Sequence, residues 1–343
     1  MRGGKDMLLL ANAIAHFCVD GLCAATLYGR IPDVTLLLVL IYNALAFSTQ
    51  CAVGLWADRL EDQRWAELGS AVLLCVGWAL PCPALIKVIL IGLGNSLFHV
   101  MGGIMTLRRC KGRSSDLGLF VAPGALGLSL GVLYPSLAGF FFCGLIVCTV
   151  AAFFLEPKEA GEKIREEAEQ PDWISMILLT AAVAVRAIGG SAVVFPWKTG
   201  ALLTVLMTLF VMAGKMLGGY VCDRIGTVKT AIVSIVPASV LIALFSRYAV
   251  PSLAGQFFVN LTMPVTLWMM YRCMPYAPGL AFGLAASALF SGTLAGQLMT
   301  LTGPALWIFV MVSFLFGLFA ILQSEKRYRS KKTHKPEQGG TNS

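Results

Sequence analysis

Two stretches decide the fold: GLWADRLEDQRW at Gly54–Trp65 and GGYVCDRIGTVK at Gly218–Lys229. Each follows a long apolar run, and in each a glycine stands four residues before Asp-Arg with a further base beyond. Gly54 aligns with Gly219, Asp58 with Asp223, Arg59 with Arg224 and Arg64 with Lys229, at an offset of 165 residues (219 minus 54). The same offset joins Asn95 to Asn260, Gly127 to Gly292 and Gly131 to Gly296. Seven coincidences at one offset mean that the chain is doubled. Two halves repeated in the same orientation imply a pseudo-two-fold axis along a membrane normal, with a site where the halves meet.

The membrane follows from composition. The chain has 343 residues, of which 57% are hydrophobic and 13% charged. A soluble domain carries about 25% charged residues, so this chain lacks the polar surface to cover a water-soluble body. Its apolar segments fall near 7–28, 33–57, 66–81, 83–107, 115–133, 136–155, 173–190, 200–221, 229–247, 251–271, 277–297 and 302–323. A bilayer span needs about 20 residues, and the segment at 66–81 is the shortest. The first segment exceeds a signal core, contains Asp20 and has no small-residue cleavage site after it, so it is expected to remain as a span. The fold class is therefore all-α integral membrane, with twelve transmembrane helices in two pseudo-symmetric six-helix halves. The halves are expected at 1–155 and 173–323, joined by a cytoplasmic linker at 156–172 and followed by a disordered basic tail at 324–343.

The net charge of +8 is a matter of topology. Twenty of the 26 Lys and Arg lie in the termini and in every second loop, while the alternate loops hold Arg30, Lys87, Lys198 and Arg247. That asymmetry puts both termini and the central loop in the cytoplasm. It favours contact with lipid over nucleic acid. Ten cysteines without ligand spacing and three histidines predict no metal site and no cofactor. No phosphate-cradling loop and no nucleophile beside a base point to an enzyme.

The paired motifs are similar to the cytoplasmic signature of the major facilitator superfamily. Glu61 stands in the first copy where the second has Gly226. The glycines, Gly54 and Gly219, allow helices to approach closely. Asp58 and Asp223 suit a gate, each able to accept from a neighbouring helix N-terminus or an Arg, with Arg59, Arg64, Arg224 and Lys229 completing it. The segment AHFCVDGL, with His16 and Asp20, and the segment GLGNSLFHVMGG at Gly92–Gly103 resemble the fosmidomycin-resistance branch, which exports drugs by proton exchange. That branch continues Phe-His with Pro and an acid, where this chain has Val100 and Met101. Gly118, Gly127 and Gly131 resemble the glycine-rich motif of antiporter members, where glycines thin the helix between the halves; Gly292 and Gly296 repeat two of them.

Charges within a bilayer are costly and mark function. Asp20 is the one acid well inside the spans as drawn; Arg186 and Lys215 are the bases well inside, and His16 and His99 the histidines. His16 and Asp20 lie on span one, Asn95 and His99 on span four, Arg186 on span seven and Asn260 on span ten. The resemblance implies that these four helices line a central cavity. His16 and Asp20 share a helix face, as do Asn95 and His99. Asp20, with His16 and His99, is expected to carry a proton, the alternatives being permanent pairing with His16 or Arg186, or direct substrate binding. Arg186, Asn95 and Asn260 are the candidate substrate groups, with Arg186 either the counter-ion of Asp20 or the anchor of an anion. Lys215 is expected to snorkel to the cytoplasmic surface.

These readings converge on a transporter in the plasma (cell inner) membrane that works by alternating access as a monomer. Its partners are a small-molecule substrate, the bilayer and H⁺, with Na⁺ as the alternative ion. Efflux by proton exchange is the expected direction. The rivals are symport uptake of a small organic anion and a ligand sensor or scaffold without flux.

Overall fold

A chain with no water around its backbone must satisfy its peptide groups internally, and the helix does so within one segment. The computed structural model, which describes residues 2–110, 113–156 and 171–333, is helical accordingly. Among the described residues twelve helices follow in order: α1 (Arg2–Gly29), α2 (Leu36–Ala57), α3 (Arg64–Ala79), α4 (Ala84–Arg109), α5 (Ser115–Leu133), α6 (Pro135–Leu155), α7 (Trp173–Ser191), α8 (Gly200–Ile225), α9 (Thr227–Phe245), α10 (Ala249–Cys273), α11 (Pro278–Gln297) and α12 (Gly303–Thr333). Eleven are long and apolar enough to cross a membrane. The exception is α3, whose 16 residues reach about 24 Å at 1.5 Å per residue. Phe154, Leu202 and Ile308 are among the large apolar side chains that face outward, as a lipid-facing band requires.

The doubling read from the sequence is a doubling of contacts. In the first half α1 packs on α5 and α6; in the second, α7 packs on α11 and α12. The repeated glycines make the closest of these contacts. A Cβ at Gly127 would strike the carbonyl of Phe17, and one at Gly131 that of Gly21; at Gly292 and Gly296 it would strike those of Ala184 and Ile188. These four glycines therefore sit inside each half, on α1 and α7, and not between the halves as expected. Gly118 does lie between them, its Cβ position 2.7 Å from the Lys215 carbonyl oxygen of α8. The seams between halves are α2 on α11 and α5 on α8.

Three helices are interrupted in mid-course. α2 contains a π-turn at Ala44–Ser48, α5 breaks at Ala122 before Pro123, and α10 breaks at Leu261 ahead of Pro264. Proline removes one backbone donor, and a π-turn inserts a residue that re-aims the side chains beyond it. Both devices free polar backbone in the middle of the bundle.

Two boundaries differ from the sequence reading. The helix α12 continues to Thr333, so the tail expected to be disordered from 324 is corrected over residues 324–333. Charge pairing holds it: Arg272 donates to Glu325 at 2.6 Å, Arg329 to Glu325 at 3.1 Å, and Arg327 to Asp172 at 3.3 Å. Residues 334–343 lie outside the described residues. So do 157–170 of the linker, whose described ends are Glu156, after α6, and Asp172, whose carboxylate accepts from the Ser175 N–H at the start of α7. The second motif is also less of a loop than its residues suggest. Helix α8 runs to Ile225 and turns on Gly226 alone, at φ +83°, a conformation that favours glycine. Glu61 holds that place in the first copy, and there α2 ends at Ala57 and the chain takes until Arg64 to start α3.

Candidate functional site

The end of the bundle that carries the termini is closed by two matched contacts. The Asp58 carboxylate accepts the N–H groups of Gly279 and Leu280, at 2.7 and 2.9 Å, in the first turn of α11. The Asp223 carboxylate accepts the N–H groups of Ser114 and Ser115, at 2.7 and 3.0 Å, and the Ser114 hydroxyl at 2.8 Å, where α5 begins. Each Asp thus satisfies orphan donors at the start of a helix in the other half, where the helix dipole also favours a negative charge. The glycines make room for it. A Cβ on Gly54 would run into the Gly279 carbonyl, and one on Gly219 into that of Ser114. The bases of the motif do not cross the seam. Arg64 pairs with Asp62 in its own half and lies over the Phe153 ring, and Arg224 lies over Tyr220. Arg59 and Lys229 are exposed. The contacts that cross the seam are therefore made at Gly54, Asp58, Gly219 and Asp223, and not by Arg59, Arg64, Arg224 and Lys229.

Above this closure lies a cavity of about 1010 Å³, its mouth included, lined by His16, Asp20, Gln50, His99, Arg186 and Lys215 among apolar side chains. A second space of about 980 Å³ shares Arg186, Met263 and Leu289 with it and reaches the exposed Lys198 between α7 and α8. The second space thus lies toward the end of the bundle away from the termini.

His16, Asp20, Asn95 and His99 are brought together. The Asp20 carboxylate faces His16 Nε2 at 3.3 Å and His99 Nε2 at 3.6 Å, and accepts from the Asn95 amide at 3.1 Å. The far nitrogens settle the tautomers. His16 Nδ1 lies 2.8 Å from the Phe120 carbonyl oxygen, beside the break in α5, and His99 Nδ1 lies 2.9 Å from that of Asn95. A carbonyl only accepts, so both Nδ1 atoms carry hydrogen. Both Nε2 atoms then meet Asp20 with nothing between them unless a further proton is present, on an imidazole or on the carboxyl. Without that proton, lone pairs would face lone pairs. This arrangement of the trio can accept a proton. Its ligand atoms lie within 4.8 Å of one another, a spacing that suits a metal ion as well, but the two bases in the same cavity oppose a divalent cation.

One residue that the sequence reading missed makes this trio fit. A Cβ at Gly124 would come within 2.5 Å of Asp20 Oδ2 and collide with His16 Nε2. Another was misread. Lys215 lines the cavity with Asp20 and does not snorkel. It stands ten residues before the end of α8, about 15 Å along the axis at 1.5 Å per residue, beyond the reach of a lysine stem. The repeat carried the signal: Lys215 stands at the offset of 165 from Gln50, and Gln50 lines the cavity too.

Arg186 and Asn260 are placed differently from expectation. Arg186 is 7% exposed, and its one hydrogen bond among the described residues goes from Nη1 to the Thr262 hydroxyl at 2.7 Å, beside the break in α10. No ion pair joins it to Asp20 among the described residues. Asn260 lines the outer space, its amide turned back to the Gln256 carbonyl at 2.8 Å, so it does not share the inner cluster with Asn95.

No family model and no curated protein matches the sequence. Solved structures do. The human organic anion transporter MFSD10 (TETRAN) superposes with a TM-score of 0.66 at 14% identity, over 92% of this chain and 99% of that one. The Escherichia coli fucose:proton symporter FucP, as a variant, superposes with a TM-score of 0.63 at 9% identity, over 93% and 98%. The fold is that of the major facilitator transporters. The match runs over most of the length of both chains. At these identities the likeness is one of fold alone, and the chemistry rests on the residues above.

Proposed function

We propose that this chain is a proton-coupled secondary transporter that moves a small organic compound across the cell membrane by alternating access, with both termini cytoplasmic. The His16–Asp20–His99 trio carries the reading, because neither histidine can hydrogen-bond Asp20 through Nε2 without an added proton. It stands in a cavity open on one side and closed by Gly54, Asp58, Gly219 and Asp223 on the other. When the halves rock, those contacts at α5 and α11 must part together, and the same trio then faces the opposite compartment. Protonation on one side and release on the other would couple the gradient to movement of the substrate. MFSD10 and the fucose:proton symporter, whose fold the chain shares, support a transporting role. H⁺ is the ion this geometry favours, with Na⁺ as the alternative.

Efflux by exchange is the direction implied by the resemblance of AHFCVDGL and GLGNSLFHVMGG to the fosmidomycin-resistance branch. The second reading is symport of a small organic anion. A specific observation favours it: Arg186 and Lys215 both line the cavity.

Everted vesicles containing the protein, with an imposed pH gradient followed by a pH-quenched dye across a compound panel, test the proposal. The expected result is a change of the gradient with particular compounds in the wild type, a collapse if proton and compound exchange and a steepening if they travel together, and no change with Asp20→Asn. An equal change in both would remove Asp20 as the coupling group. Counterflow of a binding compound with no gradient effect in the wild type would exclude proton coupling. Binding without counterflow would show a sensor.

A further inference from the structure

The cavity holds more positive charge than its own residues balance. Arg186 and Lys215 are two bases, and Asp20 is the one acid beside them. Asp20 is already engaged by His16, His99 and Asn95. Arg186 offers five N–H donors and commits one, to Thr262. Lys215 has no hydrogen bond or ion pair among the described residues. A buried cation without a counter-ion is costly, so Arg186 on α7 and the half-buried Lys215 on α8, which line one cavity, call for a ligand that supplies the charge. Apart from Gln50 and Thr266 the remaining surface is apolar: Phe47, Leu128, Val183, Leu267, Phe282 and Leu289 are among the groups that line it.

Resting on the reading of this cavity as the transport site, we infer that the substrate is an amphipathic organic anion, its carboxylate or similar head held between Arg186 and Lys215 and its apolar body against α2, α5, α10 and α11. The planar Arg186 fork takes the head in a fixed orientation and Lys215 acts as a point charge. A cationic compound would have to enter a site already positive.

The charges also fix how the proton and substrate bind together. In the empty cavity Lys215 and Arg186 oppose the loading of a proton onto the trio. A bound anion cancels that opposition, and by reciprocity the loaded proton favours the anion. Proton and anion therefore bind together and do not displace one another, which is the requirement for symport and the opposite of exchange.

Naphthalene-2-carboxylate, 2-naphthamide and 2-naphthylmethylammonium have the same apolar body with a negative, neutral and positive head. Calorimetric titration of each into the full-length protein in lipid nanodiscs tests the inference on the wild type itself. The carboxylate is expected to bind, and the amide and ammonium to bind more weakly by about tenfold or more, the worth of a charge-assisted contact. Arg186→Gln and Lys215→Gln are each expected to weaken the carboxylate by about tenfold or more. Arg186→Lys is expected to recover part of the loss, which separates ligand contact from misfolding. Repeating the wild-type titration in two buffers of different ionisation heat is expected to show net proton uptake with the carboxylate, lost in Asp20→Asn while binding persists. Equal or tighter binding of the amide or ammonium, no saturable binding of the carboxylate, or carboxylate binding unchanged in both Gln variants would overturn the anion site. Proton release on binding would overturn the symport order. Carboxylate binding that survives while the vesicles show no proton coupling leaves the anion site standing and removes the coupling reading, so the two fail separately.

Discussion

Asp58 and Asp223 stand 165 residues apart and make the same contact, each holding the first backbone N–H groups of a helix in the other half. In the middle of the same bundle the repeat breaks down. At the offset of 165, Asp20 meets Val185, His16 meets Ala181 and His99 meets Pro264, while Arg186 meets Gly21 and Lys215 meets Gln50. The closure depends on backbone geometry that both copies must keep for both seams to shut. The cavity depends on side chains that need to be present only once. In the proposed mechanism the first half supplies the groups that take a proton, and the second those that take an anion. The repeat holds at the closure and is lost at depth, where the two halves carry different side chains.

The closure is where the comparison is broken most easily. Replacing a carboxylate that accepts two helix-terminal N–H groups by an amide costs about 2 kcal/mol, some thirtyfold in the balance between closed and open. Asp58→Asn and Asp223→Asn should therefore each raise, to a similar degree, the labelling of Ala286→Cys by a thiol reagent added from the side of the termini. A large effect from one and none from the other would end the claim that the two seams are equivalent.

The cavity should respond unequally. In Gly124→Ala the added methyl group meets the His16–Asp20 pair, and gradient-driven flux should fall by about tenfold or more, since small displacements of reacting groups are expensive. Gly139→Ala, where a Cβ meets nothing within 4 Å, is the control and should have no effect. Coupling that survives Gly124→Ala would mean that the trio does not need its present spacing.

The smallest effect belongs to the pairing that holds the end of α12. Burial pushes the Asp172 carboxyl up, but the Ser175 hydroxyl and N–H, then Arg327 and Lys331, outweigh it and leave it below the ordinary carboxylate range. A carboxyl lowered in the folded state stabilises above its unfolded value, and that contribution is lost as pH falls through the folded one. Asp172→Asn should thus cost about 1 kcal/mol at neutral pH, read as a lowered melting temperature. The difference from wild type should close below about pH 4. A difference that persisted in acid would remove the carboxylate as its cause.

The fold was legible because its signals are long: apolar runs the thickness of a bilayer, and a repeat that keeps Gly54 and Gly219 in step. The tail was misjudged because Lys and Arg in 326–335 look solvated in sequence. Nothing local shows that Glu325 and Asp172 will meet them. The site was half legible. Asp20, His16 and His99 stand out as polar residues among apolar ones, and helical spacing pairs His16 with Asp20 and Asn95 with His99. Lys215 looked like a surface lysine because its distance from the membrane edge depends on where α8 ends, and Asp223, taken as loop, is helical. Gly124 gave no signal at all, since its role is to leave space for side chains from another helix.

The division between the halves can be read in one comparison, substrate counterflow against gradient-driven accumulation, measured in proteoliposomes for Asp20→Asn and Arg186→Gln. Counterflow needs the substrate site and the rocking motion, whereas accumulation also needs the proton. Asp20→Asn should keep counterflow and lose accumulation, and Arg186→Gln should lose both. An Asp20→Asn protein that accumulates substrate like the wild type, or that loses counterflow as fully as Arg186→Gln, would contradict the assignment of the proton to the first half and the substrate to the second.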